Sequence, residues 1–124
     1  MSMTAGEFRA RIDALGLTIS DVARMVGVHD RSARNWLSGK HAVPGSVAAT
    51  VRRWESETVA IEDAEIDAAK DAGVVTVWAS DGEFHAARPD LAAWPAKWWR
   101  LVAVNVADEL GVPIAFEGEW SVRA

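Results

Sequence analysis

The sequence predicts a mainly α protein with a small α+β C-terminal part. Three observations carry this. Two capping boxes each open an apolar helical stripe, at Thr4 and at Thr18. The texture turns β-branched after Gly73, and Pro95 and Gly111 bracket a long apolar stretch. The expected architecture is a four-helix bundle over residues 1–55, then one helix with short strands over residues 56–124. With 124 residues, half of them apolar, the chain is long enough for a real core in one domain, or in one small domain plus an appendage.

The first helix runs from Thr4 to Leu15. Thr4 and Glu7 form its capping box, Phe8, Ile12 and Leu15 its i, i+4, i+7 stripe, and Gly16 its stop. Thr18 and Asp21 open the second helix, with Val22, Ala23 and Val26 inward and Gly27 as the break. The third runs from about Asp30, read as its N-cap, to Ser38, with Ala33, Trp36 and Leu37 inward. Pro44 suits a first helical position, and Val47, Val51 and Trp54 give the fourth stripe. That helix either runs through the acidic stretch to Gly73 or breaks near Ser56.

Beyond Gly73, "VVTVWAS" reads as a strand and Asp81-Gly82 as a turn. "ARPDLAAWP" reads as a loop or irregular turn, and residues 95–110 as a helix. "VPIAFE" is a second strand candidate, with Gly118 marking a turn before Trp120.

Charge is divided unevenly. Residues 1–54 hold eight Arg or Lys against four acids, net +4; residues 55–124 hold five against fourteen, net −9. Such asymmetry points to a polyanion partner for the basic half. The absence of cysteine excludes disulfides and thiolate metal sites. The three histidines, His29, His41 and His85, lack metal-ligand spacing. The acids Glu62, Asp63, Glu65, Asp67 and Asp71 read as a solvated helix face rather than a cation site. There is no nucleophile motif and no phosphate-cradling glycine loop. No catalytic residue, metal or cofactor is therefore expected. No apolar run reaches membrane-spanning length and nothing at the start reads as a secretory leader, so a cytoplasmic location without membrane association is expected.

Two short helices that cross steeply need a small residue in the first and a φ-positive turn residue after it. Ala23 and Gly27 fill those slots. Val22, Val26, Val28, Ala33 and Trp36 fill the expected buried ones. With Ala33, Trp36 and Leu37 inward, Arg31, Arg34, Asn35 and Ser38 share the opposite face of the third helix. Arg suits guanine O6 and N7, and Asn suits adenine N6 and N7.

Through "LTISDVARMVGVHDRSARNWLSGK", residues 3–55 resemble the lambda-repressor-like helix-turn-helix family. The resemblance makes residues 1–55 a DNA-binding domain and the helix from Asp30 the reading helix in the major groove. By position it implies base contacts from His29, Arg31, Ser32 and Asn35, with Arg34 beside them. Thr18, Ser20, Lys40 and His41 fall where phosphates would pass. With "SARNWLSGKHAVP" and "KWWRLVAVNVADEL", the whole chain is similar to the anti-CRISPR-associated repressors, small phage-linked regulators. That resemblance implies repression of the protein's own operon through inverted repeats.

Residues 98–107 are apolar nearly all round a helix, more than so small a region is expected to bury alone. A homodimer is therefore expected, with Trp98, Trp99, Leu101, Val102 and Val106 at its interface. The main alternative is an antitoxin that binds DNA with one half and a toxin with the acidic other. A third reading has Trp78, Trp94 or Trp120 lining a ligand pocket.

Overall fold

The computed structural model describes residues 2–119. Among them the protein is mainly helical with one two-stranded parallel sheet. The order is α1 (Ala5–Ala14), α2 (Ile19–Val26), α3 (Asp30–Ser38), α4 (Gly45–Ala69), β1 (Val75–Val77), α5 (Asp81–Ala87), a 3-10 turn (Pro89–Leu91), α6 (Ala96–Leu110) and β2 (Ile114–Phe116). The chain divides into two compact units, Met1–Glu57 and Thr58–Ala124. Helix α4 is continuous past Ser56 and contributes residues to both.

In the first unit both predicted capping boxes form. Thr4 and Glu7 close α1, and Thr18 and Asp21 close α2, each side chain answering the other's backbone amide. Gly16, Gly27 and Gly39 sit at φ 70, 77 and 79°, the left-handed region that ends a helix at little cost for glycine. Both Gly27 N and Val28 N donate to Ala23 O at 2.9 Å, closing the end of α2. Phe8, Ile12, Val22, Ala33, Trp36, Val47, Ala48, Val51 and Trp54 form the core, with Phe8 edge-on to Trp36 at 6.0 Å. Arg11 Nη1 donates to both Glu55 oxygens, at 3.1 and 2.8 Å, joining α1 to α4.

Two expectations fail here. Val28 is 36 % exposed and Val26 only half-buried, because the chain turns outward at Gly27 to start α3. Asp30 is not the cap of α3. His29 is, without a side-chain cap bond, while the Asp30 carboxylate accepts the Ser20 hydroxyl at 2.8 Å.

The second unit is built round α6, which starts after Pro95 and stops at Gly111 (φ 66°). Strands β1 and β2 pair parallel with Val75, Thr76 and Val77 opposite Ile114, Ala115 and Phe116. Three backbone groups on or beside the strands are held by side chains. Thr76 O accepts Trp99 Nε1 at 2.8 Å, Trp78 O accepts Arg100 Nη1 at 2.7 Å, and Phe116 N donates to Glu119 Oε1 at 3.1 Å. Asp81-Gly82 is not a turn but the first turn of α5, where the Ser80 hydroxyl accepts Glu83 N at 3.2 Å. Asp81 Oδ1 in turn accepts Ala96 N at 2.8 Å, satisfying an amide at the start of α6.

The dimer-interface expectation also needs correction. Trp98, Trp99, Val102 and Val106 are 0, 3, 1 and 0 % exposed within this single chain, and only Leu101, at 38 %, is on the surface. The covering material is local. Trp94 stacks on Trp98 at 4.3 Å, Phe84 on Trp99 at 5.7 Å, and Trp98 Nε1 donates to Thr58 Oγ1 at 3.0 Å. Helix α5 and the second part of α4 supply the cover that the sequence did not reveal. Trp94 is thereby a core residue, and Trp120 lies outside the described residues. Among the described residues no helix is long and apolar enough to cross a membrane.

Candidate nucleic-acid interface

Helix α3 is amphipathic in the simplest way. Ala33 and Trp36 are buried and Leu37 is half-buried, which turns Arg31, Arg34 and Ser38 to solvent. Ser32 and Asn35 are half-exposed at the edges of that face, and His29 is exposed just ahead of it. The connection from α2 consists of Gly27, Val28 and His29. After the left-handed Gly39, the loop folds back on the end of α3. His41 N donates to Asn35 O at 3.1 Å, and Lys40 N to Ser38 Oγ at 3.3 Å. Lys40 and His41 are thus exposed beside the same helix.

The ion pairs divide the cations of the first unit into two sets. Arg9 pairs with Asp13, Arg11 and Arg52 with Glu55, Arg24 with Asp21, and Arg53 with Glu57, at 2.8 to 3.7 Å. Arg31, Arg34 and Lys40 pair with no carboxylate among the described residues. These three fall on α3 and the loop that follows it. An unpaired cation keeps its hydrogen-bonding groups hydrated and available to an anion, whereas a paired one must first break its bridge.

The candidate phosphate contacts differ among themselves. Thr18 Oγ1 accepts Asp21 N at 3.1 Å, which leaves its own proton free to donate. The Ser20 hydroxyl has one proton and gives it to Asp30. Its side chain is therefore not a phosphate donor as it stands, and the expectation for Ser20 narrows to its main-chain amide. The Asp30 carboxylate complements the positive N-terminal end of α3.

Among the described residues of the second unit Arg88 is the most engaged cation. It donates to Glu65 at 2.7 Å and to both Asp90 oxygens at 3.1 and 3.0 Å, and its guanidinium lies 5.2 Å from the Trp99 ring centre. The hydrogen bonds from Asp90 and Glu65 raise the Arg88 pKa, and Arg88 in return holds the Asp90 carboxyl below the ordinary range. Among the described residues no cluster of His, Asp and Glu is arranged to hold a metal ion.

A scan against protein-family models matches no family, and a search of curated proteins finds no match.

Proposed function

We propose that the chain is a sequence-specific DNA-binding repressor that acts as a homodimer on an inverted repeat, its own promoter included. The observation that carries this reading is the segregation of unpaired cations: among the described residues of the first unit, Arg31, Arg34 and Lys40 are the arginines and lysines without a carboxylate partner. On this reading α1, α2, α3 and the start of α4 form a helix-turn-helix bundle, Gly27 is the turn, and α3 enters the major groove. Arg31, Arg34 and Asn35 read base edges, assisted by His29 and Ser32. Thr18, the Ser20 amide, Lys40 and His41 hold phosphates. The resemblance to anti-CRISPR-associated repressors motivates the autoregulatory target.

The dimer surface is reassigned to the solvent side of α6. Leu101 and Val104 are exposed there at 38 and 44 %, on one stripe with Lys97, Asn105 and Asp108. The Asn105 side chain donates to Glu62 on α4 at 2.6 Å, which places α4 along that stripe.

Footprinting on the DNA upstream of the gene tests the proposal. A protected inverted repeat is expected. Arg31→Ala and Arg34→Ala should each weaken specific binding by about 1–3 kcal/mol where a bidentate base contact is lost. Wild-type binding by both variants would overturn the assignment of α3.

The antitoxin reading is favoured by one observation. The acidic second unit exposes three apolar side chains, Val59, Ile114 and Phe116, at 57, 38 and 49 %, which suits contact with a basic and partly apolar protein. A toxin gene beside this one, whose product co-purifies with the chain, would select it.

A further inference from the structure

A pocket of about 180 Å³ lies in the second unit, between the last turns of α4 and the start of β1. Its apolar lining includes Trp78, Trp99, Ala68 and Ala72. Both indole N–H groups are committed elsewhere, Trp99 to Thr76 O and Trp78 to Glu117 Oε2 at 2.9 Å, so the rings offer carbon surface rather than donors. The polar lining is Glu65, Thr76 and Arg88.

These three groups retain unused capacity. Arg88 bonds through Nε and Nη2, which leaves the two protons of Nη1 without a partner. Glu65 uses Oε1 and leaves Oε2. The Thr76 hydroxyl has no hydrogen bond among the described residues, although its backbone carbonyl does. An apolar slot with both a donor and an acceptor at one end is the usual design of a small-molecule site. Charge narrows the ligand. Arg88 is already matched against Glu65 and Asp90, two carboxylates to one guanidinium, so the site repels an anion. Size narrows it further, since a cavity of about 150 Å³ holds one benzene ring.

We infer that this pocket binds a neutral planar one-ring amide, a nicotinamide-like or pyrimidine-base-like molecule. The ring lies against Trp78 and the Ala68 and Ala72 methyls, its carbonyl accepts from Arg88 Nη1, and its N–H donates to Glu65 Oε2. The inference concerns the second unit and stands apart from the DNA-binding reading.

The test is a ¹⁵N-NMR titration of the full chain with nicotinamide and, separately, uracil. Saturable shifts are expected at the Trp78 and Trp99 indole signals and at the amides of residues 72–76, for at least one of the two, with a Kd of about 1 mM or tighter. Benzoate and toluene, one anionic and one without polar groups, should bind at least about tenfold more weakly. Ala68→Leu, at a solvent-exposed helix position, should fill the slot and abolish the shifts while the spectrum remains that of a folded chain. Thr76→Val should leave the fold intact and show whether the hydroxyl selects between the two ligands. No saturable shift with either amide, equal binding of benzoate or toluene, or shifts that survive Ala68→Leu would each overturn the inference.

Discussion

Trp98 shows what a single side chain decides. It is fully buried, stacked on Trp94, with its N–H held by Thr58. Trp98→Ala should therefore lower stability by about 3–5 kcal/mol in a denaturant titration. A variant that kept its stability and lost only self-association would return Trp98 to an interface. The sequence showed that Trp98 is apolar but not which residues cover it, because its neighbours come from positions 58 and 94 and from beyond the helix itself. Ion pairing divides in the same way. Arg9–Asp13 is an i, i+4 pair that spacing makes visible, whereas Arg11–Glu55 spans 44 positions and exists only in the folded unit. Which arginines stay unpaired, the property on which the candidate interface rests, was therefore not legible, although the exposed face of Arg31 and Arg34 was.

At the scale of elements, helix ends were the most legible feature, since a cap needs only neighbours within a few residues. Gly27 is a case with a measurable consequence. A Cβ there would meet nothing within 4 Å, so Gly27→Ala carries only the strain of φ +77°. It should destabilise the first unit by about 1–2 kcal/mol. Gly82 also has open space but no positive φ, inside α5, so Gly82→Ala should stabilise by about 0.5–1 kcal/mol. Thermal melts of the two variants should move in opposite directions, and a shared direction would contradict the backbone account. Helix α5 itself was misread. Asp81-Gly82 is a strong turn signal, yet Ser80 caps the amide of Glu83 and a helix opens there. The two strands were found, but not their pairing. Each is three residues long, and Val75 lies opposite Ile114, 39 positions on. No local pattern carries a register across such a distance.

For the whole molecule the division of charge sets the expected behaviour. The proposed DNA-binding half carries net +4 and the proposed self-associating half net −9. Added salt should weaken DNA binding by competing for phosphates, yet favour association of two acidic units by screening their repulsion. Light scattering at micromolar concentration should give twice the 13.4 kDa chain mass, more completely at higher salt. Leu101→Glu should shift the mass to that of the single chain. A wild-type mass of 13.4 kDa throughout would end the dimer proposal.

The small sheet adds a constraint of another kind. The outward Thr76 carbonyl, the Trp78 carbonyl just past β1 and the outward Phe116 amide are held by Trp99, Arg100 and Glu119. An extended segment from a neighbouring chain would have to displace these side chains to bond the groups they hold. Of the two exposed apolar residues of β2, Ile114 and Phe116, the second therefore has its amide closed to such a segment by Glu119.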